Sequence, residues 1–387
     1  YSVCRATRCI DEEVICMKSF RIVPEIKMCD TFDEFIVNFG LNERDLILTD
    51  GFLRDNFVTP KNLPCHVVAQ DDFGGGEPSS TKVNAILKEV SKFDYDRVIA
   101  IGGGTAIDIS KILSLDGVDD LLAVFKGEKP SVRKRKLVII PTTCGTGSEV
   151  TNISIVAFEE LNTKFGLAKD ELYADTAVLC PEFLKGLPYK VFIFSSVDAL
   201  IHAIESYLSP KASDISRFFS VEAIKRILGG YVEMREKGAE HRKEIMDSFV
   251  LGSTYAGVAF GNAGCGLVHA MSYPLSGEYH IAHGEANHKM LMSVLHYYDN
   301  ALPNGDIKSL YSLFAEILGC DEKDALNEFE TLFNSLIERK PLSAYGADEA
   351  KLKEFAAQVV KTQQRLLANA YVPTSEEQMV EIYRPVL

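Results

Sequence analysis

Residues 97–105 read RVIAIGGGT, an apolar run that ends in three glycines and a threonine. The apolar run predicts a buried β-strand, and the glycines predict a tight turn into the helix that follows. Residues 137–148 repeat this arrangement, because LVII runs into PTTCGTGS. A strand, a glycine-rich turn and a helix, repeated along a chain, are typical of a parallel α/β layer.

The same alternation extends over residues 17–185, and the chain changes character beyond them. Further strand, helix and hairpin patterns of this part lie at 45–50, 64–69, 78–92, 153–168 and 176–180. Beyond it, the periodicity predicts only helices, at 195–208, 214–236, 241–260, 265–275, 284–298, 308–318, 323–338, 348–369 and 375–383. The sequence therefore predicts an N-terminal nucleotide-binding α/β domain, 17–185, and an all-α C-terminal domain, 186–387.

The first residues do not fit either domain. Residues 1–16 contain three cysteines and no strand or helix period, whereas Met17 opens a strand-like run. We expect Met17 to be the natural start and residues 1–16 to be a non-native extension. Mass spectrometry of the protein from its native source tests this expectation, because an intact 1–16 peptide contradicts it.

The composition narrows the class of partners. The net charge of -14 disfavours nucleic acid and anionic membrane surfaces, since both attract basic proteins. No apolar run approaches the ~18 residues that span a bilayer. The nine cysteines show no C-x-x-C pair, which favours reduced thiols and a cytoplasmic location.

The turn at 102–105 has the features of a phosphate site. Glycines let backbone N–H groups approach a phosphate, and the following helix adds its positive dipole end. Ile107 stands where the G-x-G-x-x-G pattern has its last glycine, so a turn without a ligand remains an alternative. Asp50, at the end of an earlier strand, is placed to bind an adenosine ribose and to repel a 2′-phosphate. Its alternative is a simple Asp-Gly turn.

The segment 195–205, SSVDALIHAIE, places a carboxylate and an imidazole one helical turn apart. Asp198 and His202 can bind one cation from the same helical face. In the alternative interpretation, Ser195 begins the helix as an N-cap and His202 is a core histidine.

Four of the eight histidines lie between residues 260 and 290: His269, His280, His283 and His288. His269 stands among small apolar residues on a helix that we expect to end at Pro274. An unpaired imidazole in such surroundings is costly, which favours a bound ligand for it. Any one of these histidines by itself is more often a core or capping residue.

These motifs together resemble the iron-containing (group III) alcohol dehydrogenase family over nearly all of residues 17–387. The resemblance is carried by residues 102–111, 141–149, Asp198 with His202, His269, and His283 with Asn287. Segments 269–274, 279–287 and 363–367 are similar to the members of this family that act on 4-hydroxybutyrate. The resemblance implies a dehydroquinate-synthase-like fold, with a metal in the cleft between the two domains.

The resemblance also implies roles for individual residues. The metal, Fe(II) or possibly Zn(II) by this ligand set, takes Asp198, His202, His269 and His283. NAD takes Gly103, Gly104, Thr105 and Asp108 at the first turn, and Thr142, Thr143, Thr146 and Ser148 on the nicotinamide side. Lys164 is expected at the nicotinamide ribose and Asp50 at the adenosine ribose.

One position departs from the family pattern. Many members carry a second histidine four residues after the one at His269, and this chain has Tyr273 there. Tyr273 or His280 is then expected to replace it in proton transfer, or to shape the pocket for an acidic substrate.

The activity that the resemblance implies is reversible hydride transfer between a primary alcohol and NAD. The expected pair is 4-hydroxybutyrate and succinate semialdehyde, with Arg365, Lys289 and His280 as candidates for binding the distal carboxylate. A homo-oligomer is expected by analogy. The alternatives are a 1,3-propanediol or butanol dehydrogenase, an NAD-dependent lyase of the dehydroquinate synthase type, and a metal-free nucleotide-binding protein.

Overall fold

The fold is known from a computed structural model, which describes residues 19–161 and 163–387. Residues 1–16, predicted to be a non-native extension, and Met17, predicted to be the natural start, lie outside the described residues. The strands, in chain order, are β1 (Glu25–Met28), β2 (Asp45–Thr49), β3 (His66–Ala69), β4 (Arg97–Gly102), β5 (Leu115–Asp116), β6 (Val132–Arg133), β7 (Lys136–Pro141), β8 (Ile153–Phe158), β9 (Thr163–Ala168) and β10 (Thr176–Leu179).

A six-stranded parallel sheet forms the centre of the N-terminal half, as the repeated strand, turn and helix pattern predicts. Its strand order is β1-β10-β7-β4-β2-β3, and all neighbours run parallel. Because the strands are parallel, the ends of β2, β4 and β7 meet at one edge of the sheet. Thr49 pairs with Ile101, and Gly102 pairs with Pro141, so the turns that follow these strands are neighbours.

The two faces of the sheet enter different cores. Leu46, Leu48 and Val98 belong to a core that the N-terminal half forms with its own helices. Ile47 and Ile99, one residue along each strand, belong to a core that continues into the C-terminal helices. The alternation follows from the period of two in a strand, and it joins the two halves through one face of the sheet.

Two short antiparallel pairs accompany the sheet. Strands β8 and β9 form the hairpin that the sequence predicts over 153–168. Strands β5 and β6 also pair, and β6 lies within residues 129–136, a basic stretch whose side chains contact acids, such as Lys129 with Asp119.

Only helices occur among the described residues beyond Pro181. The α-helices of the chain, in order, are α1 (Phe32–Phe39), α2 (Gly51–Leu53), α3 (Ser80–Val90), α4 (Gly104–Leu113), α5 (Leu121–Lys126), α6 (Glu182–Lys185), α7 (Tyr189–Leu208), α8 (Asp214–Lys237), α9 (Met246–Ala263), α10 (Leu267–Tyr279), α11 (His283–Ala301), α12 (Asp306–Leu318), α13 (Ala325–Leu336), α14 (Glu349–Thr362), α15 (Gln364–Leu367) and α16 (Glu376–Tyr383).

Two expectations about helix ends are wrong. Helix α7 begins at Tyr189, so Ser195 lies inside it and is not an N-cap; its hydroxyl donates to the carbonyl of Val191 (2.8 Å). Helix α10 continues past Pro274, which leaves one internal hydrogen bond unmade. In the turn before the proline, the carbonyl of Met271 accepts a hydrogen bond from the Tyr383 hydroxyl (2.6 Å), which belongs to a different helix.

A third expectation, a single helix over 348–369, is also wrong, because Gln363 interrupts the helix between α14 and α15. Helix α7 has the length and the mean hydropathy, 1.4, of a membrane span, although polar residues such as Asp198 and His202 interrupt its apolar run. Within the fold, 89% of this window is buried, as in the core helix of a globular protein.

Helix α7 is the element against which the rest of the site is built. A Cβ atom at Gly145 would lie 2.8 Å from the carbonyl oxygen of Ser195. A Cβ atom at Gly284 would lie 2.1 Å from the carbonyl oxygen of Phe194. Both positions therefore need glycine, and through them α7 touches the turn after β7 on one side and the start of α11 on the other.

Candidate active site

Four side chains from three helices come together beside the middle of α7. Asp198 and His202 come from α7, His269 from α10, and His283 is the first residue of α11. Asp198 Oδ1 lies 3.6 Å from His269 Nε2 and 3.6 Å from His283 Nε2. The ring of His202 stacks on that of His269, with 4.6 Å between the centroids.

The spacing of these donors fits a divalent cation. Ligand atoms about 2.1 Å from a tetrahedral ion lie roughly 3.4 Å from one another, close to the measured 3.6 Å. The ligand atoms of Asp198, His269 and His283 all lie within 4.8 Å of one another. His202 donates through Nδ1 to the carbonyl of Gly145 (3.3 Å). Its ligand atom belongs to a second close group, with Cys265 and His269, which shares His269 with the first group.

Asn287 reaches the same point, although its place in the motif predicted no role for its side chain. Its Nδ2 lies 2.7 Å from Asp198 Oδ1 and 3.2 Å from both His269 Nε2 and His283 Nε2. Its Oδ1 is buried without a partner among the described residues. An amide donor shared by a carboxylate and two imidazoles indicates that this point attracts positive charge. The spacing of four residues after His283 is the signal that places it on the same face of α11.

The electrostatics of the cluster show the same tendency. Burial alone would raise the pKa of Asp198, but the three neighbouring histidines hold it well below its usual range. Burial lowers the pKa of His202 to about 4. Burial would also lower the pKa of His269, but hydrogen bonds to Asp198 and Glu205 raise it to about 9. The ionised carboxylate and neutral imidazole of the Asp198 and His202 pair are the forms that bind metals.

The turn between β4 and α4 faces the turn after β7. A Cβ atom at Gly103 would lie 3.3 Å from the Thr143 methyl group, and one at Gly104 would lie 3.1 Å from the Thr146 methyl group. Thr105 follows in the first turn of α4, and the backbone N–H of Thr142 donates to the carbonyl of Gly102 (3.1 Å). Glycine at both positions thus lets the two turns lie close together at the N-terminus of α4. We call this glycine-lined turn the cradle; backbone N–H groups at a helix N-terminus suit a pyrophosphate.

Asp50 borders this cradle. A Cβ atom at Gly102 would lie 3.3 Å from Asp50 Oδ2. The backbone N–H of Gly51 donates to Asp71 (2.7 Å), and Asp50 makes no capping hydrogen bond to α2. Gln70 donates to Asp50 Oδ1 (2.7 Å), and burial raises the pKa of Asp50. The Asp-Gly turn is therefore closed by Asp71, and Asp50 faces the first turn.

Asp108 and Ser148 have partners within the protein. Ser148 donates to Asp108 Oδ1 (3.0 Å), and the N–H of Ile155 donates to Asp108 Oδ2 (2.9 Å). The buried ammonium of Lys111 donates to Ser148 (2.7 Å), and burial lowers the pKa of Lys111 to about 8. This network joins α4 to the second turn and to β8, so it fixes the positions of both turns.

Lys164 lies on β9 and pairs with Glu77; both side chains are exposed. Burial lowers the pKa of His283, and the charges of Glu77 and Lys164 also act on it. The hairpin of β8 and β9 therefore lies close enough to the histidine cluster to influence it.

Tyr273 lies next to His283, whereas His280 is exposed to solvent. The ring of Tyr273 lies 5.7 Å from that of His283, and burial raises the pKa of its phenol above the ordinary value. His280 ends α10 with a φ of 52° and has an exposed side chain. The structure therefore brings Tyr273 to the cluster and leaves His280 at its solvent side.

Two family models match the chain along nearly its whole length. The model described as "Iron-containing alcohol dehydrogenase" matches residues 21–181, and "Fe-containing alcohol dehydrogenase family, C-terminal" matches residues 192–387. The chain is 49% identical over 368 residues to a 4-hydroxybutyrate dehydrogenase of Clostridium kluyveri, covering 95% of this chain and 99% of that protein. It is 34% identical over 307 residues to a long-chain-alcohol dehydrogenase of Geobacillus thermodenitrificans, covering 75% and 74%.

Solved structures show the same fold. A sulfoacetaldehyde reductase from Bifidobacterium kashiwanohense, in complex with NAD+, has a TM-score of 0.84 at 21% identity, covering 96% of this chain and 99% of that one. A 1,3-propanediol oxidoreductase has a TM-score of 0.81 at 23% identity, covering 96% and 100%.

Proposed function

Since the chain belongs to the iron-containing alcohol dehydrogenase family, we propose that it transfers hydride reversibly between a primary alcohol and NAD. The proposed pair is 4-hydroxybutyrate and succinate semialdehyde, after the relative with 49% identity. The single observation that carries the chemistry is the close approach of the Asp198, His269 and His283 ligand atoms, with His202 stacked on His269.

The residues divide the work between them. Asp198, His202, His269 and His283 would hold a divalent iron ion, which supplies Lewis acidity toward the alcohol oxygen and lowers the pKa of the alcohol. Gly103, Gly104 and Thr105 would bind the pyrophosphate of NAD, and Asp50 the adenosine ribose. Thr142, Thr143 and Thr146 would line the nicotinamide side and Lys164 its ribose, while Asp108 and Ser148 would keep the two turns in position.

Proton exchange with solvent is assigned to His280. The phenol of Tyr273 keeps its proton near neutral pH, because burial raises its pKa. Tyr273 can therefore donate a hydrogen bond beside His283 but does not release a proton. His280 is exposed and lies between the end of α10 and His283, the first residue of α11. Its imidazole can therefore pass protons between water and the site.

Of the three cations considered for the distal carboxylate, we propose Arg365. The side chain of Lys289 is 1% exposed, and its ammonium donates to the carbonyl of Lys340 (2.7 Å). Arg365 is exposed on α15, and its charge acts on Tyr273 and Cys265 at the cluster. Neither Asp nor Glu forms an ion pair with Arg365 within the described residues. An unpaired guanidinium suits a carboxylate ligand.

A substrate panel tests this proposal. We expect kcat/KM for 4-hydroxybutyrate to exceed that for butanol and 1,3-propanediol by about tenfold to a hundredfold, the range of one charge-assisted contact. NADH formation at its absorbance band is the measurement. Equal rates with all three alcohols would contradict the substrate, and no NADH from any alcohol would contradict the activity.

Arg365→Gln is expected to raise KM for 4-hydroxybutyrate by about tenfold or more and to leave butanol oxidation unchanged. Steady-state kinetics with both alcohols measure this. Arg235→Gln, an exposed arginine of α8, is the control and should change neither value. The same loss in His280→Gln but not in Arg365→Gln would transfer the role to His280.

We further propose that the protein acts in the cytoplasm as a homo-oligomer. The cysteines among the described residues are free thiols, which supports a reducing compartment. Strand β1 forms an edge of the sheet, and its four residues are exposed, which offers a surface for a second copy. Sedimentation velocity tests the oligomer, since a single monomeric species would contradict it.

A further inference from the structure

Glu205 is a buried carboxylate one turn beyond His202 on α7. Its side chain is 3% exposed, in a helix whose other inward residues are mostly apolar. An ionised carboxylate in such a place is costly unless donors surround it. Glu205 is the last residue of the segment 195–205, and no sequence motif predicted a role for its carboxylate.

Three donors meet this carboxylate. Oε2 accepts from the backbone N–H of Gly266 (3.0 Å) and from His269 Nδ1 (2.6 Å). Oε1 accepts from the backbone N–H of Val268 (2.5 Å). Gly266 permits this approach, because a Cβ atom there would lie 3.3 Å from Glu205 Oε1 and 3.1 Å from the carbonyl oxygen of Asn369.

The bond to His269 decides which nitrogen of that ring carries the proton. A carboxylate can only accept, so the short contact requires the proton on Nδ1. In the neutral ring, the other nitrogen, Nε2, then carries the lone pair, and it lies 3.6 Å from Asp198 Oδ1. The ring is also fixed in orientation, since it is held at Nδ1 on one side and stacked on His202 on the other.

From this geometry we propose that Glu205 is a positioning residue for His269. Glu205 holds the imidazole as the Nδ1–H tautomer and directs Nε2 to the cation. Its negative charge also makes Nε2 a stronger metal ligand. Partners of this kind change metal affinity by about 10–100-fold in other metal sites. The inference rests on the proposed function only in that a divalent cation binds at Nε2.

A purely structural role would be different. The N–H groups of Gly266 and Val268 open α10, and a carboxylate there stabilises the helix start without any effect on a metal. Removing such a cap would lower the free energy of unfolding and leave the metal affinity of the folded protein unchanged. Metal affinity and the His269 tautomer therefore separate the two roles.

The first experiment measures Zn²⁺ binding to the metal-free protein by competition with a chromophoric chelator. We expect Glu205→Gln to raise the Kd for Zn²⁺ by about 10–100-fold and Glu205→Asp, which keeps the carboxylate, to recover part of that loss. Glu330→Gln is the matched control, since Glu330 accepts from His296 Nε2 at 2.9 Å in a pair on α11 and α13, outside the cluster. It should leave the Kd unchanged.

The second experiment needs no variant of Glu205 to fold. Nitrogen-15 NMR of histidine-labelled wild-type protein, with the signal of His269 assigned by its loss in His269→Gln, should show a proton on Nδ1 in the Zn²⁺-bound form. A proton on Nε2, or equal Zn²⁺ affinity of wild type and Glu205→Gln, overturns this inference. Absence of stoichiometric Zn²⁺ and Fe²⁺ binding by the wild type would instead overturn the proposed function.

Discussion

The two glycine-rich turns at the ends of β4 and β7 look alike in sequence but use their glycines differently. At the first turn, the atoms nearest to added Cβ atoms at Gly103 and Gly104 are threonine methyl groups of the second turn. At the second turn, Gly145 lies against the backbone of α7, and Gly147 lies against that of α9. The first pair lets the second turn lie against the cradle, and the second pair lets that turn pack against α7 and α9. Glycine after a strand therefore indicates a close approach but does not say what approaches.

Gly147→Ala should give the largest effect. The residue has a φ of 55°, and a Cβ atom would lie 2.4 Å from the Cα of Gly257. Overpacking and a left-handed backbone together should lower the free energy of unfolding by about 3 kcal/mol. Urea denaturation measures the loss.

Gly40→Ala is the matched control for that prediction. Gly40 has a φ of 53°, and nothing lies within 4 Å of an added Cβ atom. This variant carries the backbone strain alone, about 1 kcal/mol. Equal losses in the two variants would show that Gly147 is needed for its φ and not for helix packing.

Gly103→Ala should give a smaller and different effect. Its φ of -78° suits alanine, so the free energy of unfolding should change by less than about 1 kcal/mol. The methyl group enters the cradle, and we expect the Kd for NAD to rise about tenfold, equivalent to about 1.4 kcal/mol. Isothermal titration calorimetry measures it. Gly229→Ala, with nothing within 4 Å of an added Cβ atom, should leave the Kd unchanged; a loss of stability without a loss of NAD affinity would contradict the division between the turns.

Asp50→Asn should give the smallest effect, confined to the choice of dinucleotide. Asparagine keeps an oxygen for the hydrogen bond from Gln70 but loses the negative charge beside Gly102. We expect the ratio of the Kd values for NADP and NAD to fall about tenfold, since the 2′-phosphate is no longer repelled. Asp72→Asn, a nearby acid paired with Arg54, should leave the ratio unchanged. An unchanged ratio in Asp50→Asn would mean that its carboxylate does not face the adenosine ribose.

The sequence predicted the parts of the fold that depend on local patterns. The buried runs at 97–101 and 137–140 became adjacent parallel strands, and the hairpin over 153–168 formed as expected. Strand order was not predictable, because β1 pairs with β10 across 147 or more residues of intervening chain. The continuation of α10 through Pro274 was not predictable either, and a distant residue, Tyr383, donates to the carbonyl of Met271 in the turn before the proline.

The candidate site was predictable to a similar depth. The spacing of Asp198 and His202 placed both on one face of a helix, and the resemblance added His269 and His283. The roles of Glu205 and Asn287 depend on contacts between α7, α10 and α11, which the sequence does not reveal. Ser148 and Asp108 show the opposite case, because a motif marked them for the cofactor and the structure engages them with each other.

The hydrogen bond from His202 to the carbonyl of Gly145 has a thermodynamic consequence. One imidazole is shared by the loop that would border the nicotinamide and the cluster that would hold the cation, so the two equilibria are linked. Reciprocity then requires that any factor by which the cation tightens NAD binding is the factor by which NAD tightens the cation. If the cation tightens NAD binding, removing the metal weakens the dinucleotide complex, and saturation with dinucleotide lowers the Kd of the metal by the same factor.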